Sequence, residues 1–472
     1  MPTSSADSTK PSPSRLVAFA VLMESLRSEE GLDLLIDRAV ARMPLDARDR
    51  GLAVEIAYGV MRRLGTIDWR LAPVLDKPLD HLPAAMQMVL RMGAYQLLFL
   101  DRIPPSAAVS ESVKLEKAQR HTLKRDWSGF INAVLRALIR EPGPPWPSIE
   151  THACQRLAVR YSVPEWLSRR WLDRWGIDRA AAACEQASMI PPVTLRINRL
   201  QIARNDFLTR LQEGGLTACA TDISPMGVAL QEGGAVPSIP GFSAGDFYVE
   251  DEAAQLIPPL LDVQPGDLVL DACAAPGGKA THLAELMNDT GRIYAVDRSA
   301  ARLKLLEENR SRLQHTSLVP FLADLRSPSW SRAISQDVGQ GQGPVRFDRI
   351  LVDAPCSGLG VLRRHPEAKW RKSSEQFERH QALQLQILDS TALCLRPGGV
   401  LVYSTCSTEA EENEAVIEHF LRSHADFRRE SVAPWLPEAA HHFVTERGDL
   451  STIGNPNLMD AFYAARLKHI RP

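Results

Sequence analysis

Two cysteines stand in loops of matching character. Cys356 lies in Asp353-Ala354-Pro355-Cys356-Ser357-Gly358 and Cys406 in Ser404-Thr405-Cys406-Ser407. Each loop follows a short apolar run, Ile350-Leu351-Val352 or Val400-Leu401-Val402-Tyr403, of the length and content of a buried strand. A free cysteine is most often a small buried hydrophobe, and Cys154, Cys184, Cys219 and Cys394 are read that way. Two cysteines just past neighbouring strand ends are a different matter. In open α/β sheets ligands bind outside the C-terminal strand ends, so both thiols are expected at one cleft. A thiolate there is a nucleophile, and a cation such as Lys279 would help to keep it ionised.

Three further strand ends carry polar groups. In Asp271-Ala272-Cys273-Ala274-Ala275-Pro276-Gly277-Gly278-Lys279, small residues let a ligand approach the backbone, and the next helix presents its N-terminus. It is not a P-loop: Cys273 stands where the first glycine is required, and Ala280 replaces the magnesium-binding Ser/Thr. Nor is it the Gly-x-Gly-x-x-Gly fingerprint. Asp297 closes the next strand and is placed to accept from ribose hydroxyls. Asp324 follows the third strand and can accept from an adenine amino group. Taken singly, each is equally an ordinary turn or cap residue.

A nucleophilic thiol beside such a pocket suits one demanding reaction. Carbon 5 of cytosine is a poor nucleophile. A thiolate adding to carbon 6 makes the ring an enamine, and carbon 5 can then attack an electrophilic methyl group. Proton loss from carbon 5 expels the cysteine, so one hard step becomes easier ones. Asp353 can hold the cytosine amino edge or stabilise N3 as charge builds. The residues alone do not rank Cys356 against Cys406.

The elements that must position these groups form three zones. From 15 to 141 the pattern is helical: Leu16, Phe19, Met23 and Leu26 share a face. Ala84 to Leu100 reads as a buried central helix interrupted by Gln87, Arg91 and Gln96, and not as a membrane span. Ser128 is placed to cap a helix over Phe130 to Ile139. Four prolines in 142–147 make a linker. Residues 148–240 read as a small α+β module with helices near Trp166 to Trp175 and Arg179 to Met189, to which no chemistry is assigned. From 241 to 472 short apolar strands alternate with helices, as in a doubly wound, mostly parallel Rossmann-like sheet. The fold class is therefore α/β with an all-α N-terminal domain. Residues 1–14, polar and rich in Ser and Pro, read as a disordered tail without a signal peptide. Gly339 to Pro344 reads as a flexible loop.

Composition narrows the class. The 472 residues carry a net charge of −2, so any nucleic-acid surface must be a local patch. Seven cysteines without a Cys-x-x-Cys pair suggest free thiols in a reducing compartment and no metal site. A cytoplasmic protein without a membrane partner is expected.

The three motifs at 271–279, 353–358 and 404–407 resemble the NOL1/NOP2/Sun family of RNA cytosine-5 methyltransferases. Arg363-Arg364-His365-Pro366-Glu367-Ala368-Lys369-Trp370 is closer still to the bacterial Sun/Fmu branch, which methylates 16S ribosomal RNA, and the helical zone is similar to the NusB-type RNA-binding domain of that branch. The resemblance covers nearly the whole chain after the tail. It implies S-adenosyl-L-methionine as cofactor. Cys273, Ala274, Ala275, Pro276, Gly277, Gly278 and Lys279 would line its methionine end, Asp297 hold the ribose and Asp324 the adenine, while Asp353 would face both cofactor and target base. It also implies Cys406 as nucleophile and Cys356 as its helper in product release. Three departures stand out: Ala280 where Thr is common, Glu250-Asp251 for Gln-Asp, and Asp460-Ala461-Phe462 for Asp-Gly-Phe. The last is expected to disturb a turn if a positive φ is needed there.

Two basic clusters suit phosphate. Arg363, Arg364, Lys369, Arg371 and Lys372 follow the Cys356 loop, with Trp370 among them to stack on a base. Lys114, Lys117, Arg120, Lys124 and Arg125 lie in the helical zone and are equally a solvated face. The partner is expected to be 16S ribosomal RNA, naked or within an assembly intermediate, and the protein a monomer. A tRNA methyltransferase and a non-catalytic ribosome-assembly factor are the competing readings.

Overall fold

The structure, a computed structural model, describes residues 10–119, 125–231, 235–327, 329–340, 343–454 and 459–470. The chain divides into two compact units, Met1–Met189 with Leu362–Arg371 and Ile190–Val361 with Lys372–Pro472. Most of the tail expected at 1–14, and part of the loop expected at 339–344, lie outside the described residues.

The first unit is helical. Helices α1 (Pro13–Ser25), α2 (Leu32–Arg42), α3 (Ala47–Leu71), α4 (Ala84–Phe99), α5 (Pro105–Ala118) and α6 (Ser128–Arg140) pack Leu22, Leu35, Ile56, Val60, Val89 and Leu135 into one core. The expected central helix is α4. Its buried Gln96 is satisfied by Arg15 Nε at 2.7 Å and by the Met92 carbonyl, as a polar group in a core must be. Ser128 does not cap α6. Trp127 holds the cap position, and the Ser128 hydroxyl donates instead to buried Glu116 at 2.7 Å.

Two more helices, α7 (Ile149–Tyr161) and α8 (Glu165–Gln186, kinked at Gly176), belong to this unit and not with the strands that follow them. The proline run interrupts the helices without separating them. Thr66 Oγ1 donates to the Val159 carbonyl at 2.6 Å, and Ser162 Oγ accepts from the Gly65 amide at 2.7 Å. The compact units accordingly divide at Met189/Ile190. Among the described residues no helix is long and apolar enough to cross a membrane.

The second unit holds two sheets. Strands β1 (Val193–Ile197), β2 (Ala218–Ala220), β3 (Gly227–Leu230) and β4 (Phe247–Val249) pair antiparallel in the order β2-β3-β1-β4. Helix α9 (Arg204–Glu213) covers them with Phe207 and Leu211. The short α10 (Glu252–Gln255), capped by Asp251, leads to the large sheet.

The large sheet comprises β5 (Leu268–Ala272), β6 (Arg292–Asp297), β7 (Leu318–Leu322), β8 (Phe347–Asp353), β9 (Leu395–Thr405), β10 (Phe427–Glu430), β11 (Leu450–Ser451) and β12 (Tyr463–His469). Its order is β10-β12-β9-β8-β5-β6-β7, with β11 on β12. The five strands β5 to β9 are parallel, and β12 runs antiparallel beside β9. Helices α11 (Gly278–Leu286), α12 (Ala300–Leu313), α13 (Trp330–Asp337), α14 (Glu375–Ala392) and α15 (Glu414–Ser423) connect them. Strand order reverses between β5 and β8. That is the switch point where a doubly wound sheet opens a cleft, and the predicted motifs end there.

Candidate functional site

The turn after β5 is shaped by backbone needs. Cys273 has φ +64° and Gly277 φ +111°. A Cβ on Gly277 would also lie 3.2 Å from Leu306 Cγ, a tight approach added to the positive φ that favours glycine there. The turn delivers Lys279 into the first turn of α11, where its ammonium donates to Asp353 Oδ2 at 2.8 Å and lies 5.0 Å from the Phe462 ring centroid. Burial works against this cation, but Asp353, Glu250 and Cys406 together outweigh it, and the Lys279 pKa is raised. Asp353 Oδ1 accepts from Ser404 Oγ at 2.7 Å. The β5, β8 and β9 ends are thus tied by side chains, and Lys279 meets Asp353 before it meets either thiol.

The two cysteines meet. Cys356 Sγ and Cys406 Sγ are 3.3 Å apart. The contact with Cys406, then burial, pushes the Cys356 thiol well above its ordinary range. Cys356 is therefore held as the neutral thiol. Gly360 completes the arrangement by donating its amide to the Cys406 carbonyl at 2.8 Å. A Cβ on Gly360 would come within 2.7 Å of that carbonyl and closer still to the Ala461 carbonyl, so only glycine fits. Ala461 itself is not among the positive-φ residues, and the expected disturbance of its turn does not arise.

A cavity of about 90 Å³ opens beside the pair, with Cys273, Asp297, Asp324 and Pro355 in its wall. Sequence reasoning missed Arg298, Leu325, Leu383 and Ile387, which line it too. The last two come from α14, whose amphipathic spacing marked a face but not what that face meets. Asp297 Oδ1 accepts the Ser299 amide at 2.9 Å, whereas buried Oδ2 accepts no hydrogen bond and has Arg302 Nη1 at 3.4 Å. An orphaned buried acceptor against an apolar wall fits a ribose hydroxyl beneath an aromatic base. Asp324 is held at about 2 by hydrogen bonds from the Arg326 guanidinium and amide. Burial, with the nearby carboxylates Asp297, Asp353 and Asp271, pushes the Cys273 thiol up to about 12. Cys273 is therefore a neutral lining group and no rival nucleophile.

Buttressing comes from the small sheet. Arg196 on β1 is fully buried. It donates to the Gly278 carbonyl at 2.7 Å, to Thr281 at 2.9 Å and to Glu285 at 2.8 Å, and pairs with Glu250. Glu250, a departure from the family pattern, is thus one of two carboxylates compensating one buried cation.

The predicted RNA cluster is not a cluster of free cations. Arg363 and Lys369 are 1% and 0% exposed. Lys369 Nζ donates to the Arg62 carbonyl at 3.1 Å, Trp370 Nε1 to the Met61 carbonyl at 2.8 Å, and Arg371 to the carbonyls of Glu30 and Ser25. Burial, then Arg62 and Arg63, press the Lys369 pKa well below the ordinary lysine range. Arg363, Lys369 and Trp370 therefore fasten their segment into the helical unit. Arg364 is half-buried. In the other cluster, Lys114 pairs with Glu111 at 2.9 Å and shares a groove between α5 and α6 with Lys117, Asn132 and Arg136. Arg125 lies over the Trp127 ring, and Arg120 and Lys124 fall outside the described residues. Of the cysteines read as buried, Cys154, Cys184 and Cys394 are, but Cys219, on the edge strand β2, is exposed.

A family model for the 16S rRNA methyltransferase RsmB/F matches residues 258–468, one for the NusB family residues 12–140, and one for the ferredoxin-like domain of RsmF/B-like methyltransferases residues 163–237. A probable ribosomal RNA small subunit methyltransferase B from Synechocystis sp. is 36% identical over 456 residues, 96% of this chain and 99% of that protein. Its Bacillus subtilis counterpart is 33% identical over 96% of this chain and 98% of its own length. A solved methyltransferase homologue from Pyrococcus horikoshii superposes with a TM-score of 0.55 at 29% identity, covering 68% of this chain and all of its own.

Proposed function

The chain belongs to the RsmB/F family of 16S rRNA methyltransferases, and on that premise we propose that it methylates carbon 5 of a cytosine in 16S ribosomal RNA through a covalent adduct on Cys406. It is an S-adenosylmethionine-dependent rRNA methyltransferase. The observation that carries the finer reading is the thiol pair, 3.3 Å apart beside Asp353 and Lys279.

Asp297 and Asp324 would hold the ribose and adenine of S-adenosylmethionine, with the 273–279 turn along its methionine end. Bound there, S-adenosylmethionine would supply an electrophilic methyl group, with the neutral thioether as its leaving group. Cys406, as thiolate, bonds to carbon 6 of cytosine, and the electron pair moves to carbon 5, which takes the methyl group. Asp353 accepts from the cytosine amino group while Lys279 and Ser404 hold its carboxylate in place. Carbon 5 then loses its proton to solvent, and the pair left behind expels Cys406 as thiolate. The protonated Cys356 donates to the departing sulfur and disfavours its return.

Bisulfite mapping of 16S ribosomal RNA from cells with and without the active protein tests the reading. One cytosine should lose its protection when the chain carries Cys406→Ala, and tritiated-methyl transfer should stop. Turnover retained by that variant, or a protected cytosine in tRNA instead, rejects it.

A further inference from the structure

Glu412 is fully buried on the turn after β9, and no part of the reaction above uses it. An isolated buried carboxylate costs several kcal/mol unless donors surround it. The donors here are specific. The Ser357 amide and hydroxyl donate at 2.7 and 2.5 Å, Ser407 Oγ donates to the same oxygen as the Ser357 hydroxyl, and His380 Nδ1 on α14 lies 2.9 Å from the other. Ser357 follows Cys356 in the chain, and Ser407 follows Cys406. The two hydroxyls are themselves 3.1 Å apart. The turn is pinned from below as well, because Tyr403 on β9 donates to the Glu412 carbonyl at 2.6 Å and Asn413 Nδ2 to the Ser407 carbonyl at 2.9 Å. Burial opposes the charge, but His380, Ser357 and Ser407 more than offset it, and the carboxyl lies below its usual range.

We infer that Glu412 is a positioning residue that clamps the two cysteine loops through Ser357 and Ser407 and so sets the distance between the thiols. Other bonds hold both loops as well: the Gly360 amide on the Cys406 carbonyl, the Ala354 amide on the Ser404 carbonyl and Gln384 Nε2 on the Pro355 carbonyl at 3.0 Å. Glu412 alone bonds to the residue after each thiol, by an amide and a hydroxyl at Ser357 and a hydroxyl at Ser407. Loosening the clamp therefore separates the thiols and slows release of the product. That consequence rests on the release role given to Cys356 above, whereas the clamp itself does not.

The test has an arm for each. On the protein alone, the rate at which diamide oxidises Cys356 and Cys406 to a disulfide is followed by peptide mapping, with melting temperature as the check on folding. Glu412→Gln should slow that rate about tenfold, because the new amide sets a donor against groups that donate to both carboxylate oxygens. A rate equal to wild type in a folded variant overturns the clamp. If Glu412→Gln does not fold, Ser407→Ala, which removes one hydroxyl and keeps the carboxylate, should slow the rate severalfold, and no change overturns it equally. With RNA and cofactor, the expected pattern is a fall in kcat with KM little changed and a slow-migrating protein–RNA adduct on denaturing gels. A slowed disulfide without the adduct keeps the clamp and rejects the release role of Cys356.

Discussion

Cys356 and Cys406 carry the same side chain, and their surroundings separate them. Cys356 is held as a thiol by its contact with Cys406 and by burial, while Cys406 is the thiol that Lys279 senses. Cys356→Ala should therefore still form the adduct and methylate once, but release RNA slowly. Denaturing gels should show the adduct accumulating, and its absence would remove Cys356 from product release. In the neighbouring cavity Asp297 Oδ2 is the acceptor left open. Asp297→Asn keeps an oxygen for the Ser299 amide and removes that acceptor's charge. S-adenosylmethionine affinity by calorimetry should fall about tenfold, the value of one hydrogen bond to a charged group.

At the scale of elements, the small sheet gains a purpose that its sequence did not disclose. β1 carries Arg196 to the start of α11, so the 273–279 turn rests on a guanidinium from a separate sheet. Arg196→Met leaves Glu250 and Glu285 buried without their cation. Loss of one partner from such a network costs about 3–5 kcal/mol, to be read from denaturant unfolding, and cofactor affinity should fall with it. The strands β5 to β9 were legible because each is a short apolar run before a turn. β12 was not. It places Arg466 in the sheet, 3% exposed and stacked on Trp435, and a buried arginine breaks the apolar pattern that announces a strand. α7 and α8 were legible as helices, but not that they group with the helical unit by contact.

At the scale of the whole molecule, the segment after the Cys356 loop belongs to the helical unit through Leu362–Arg371. Its buried cations, Arg363 and Lys369, serve packing. Lys369→Met should leave the salt dependence of RNA binding unchanged, since a buried lysine neutralises no phosphate. It should also alter pH dependence. The folded pKa of Lys369 lies below the unfolded value of 10.5, so the unfolded chain binds the extra proton and stability falls as pH drops from 10.5 toward the folded pKa. Melting temperatures between pH 8 and 10 should rise less steeply in the variant than in wild type. A reduced salt slope would return Lys369 to the RNA surface.

What the residues determined alone was which reactive groups stand at strand ends and the sheet that carries them. Thiols, carboxylates and glycines at strand ends are local patterns, and strand, turn and helix N-terminus form from near neighbours. Resemblance added the division of labour between the cysteines. The tertiary structure decided which charges are spent on packing and which remain for a ligand. Arg363 and Lys369 look like phosphate-binding groups in a line of text and prove buried, while Glu412, in an acidic run, joins the two cysteine loops. Burial depends on contacts between residues as far apart as Arg62 and Lys369, and no spacing rule reaches that far.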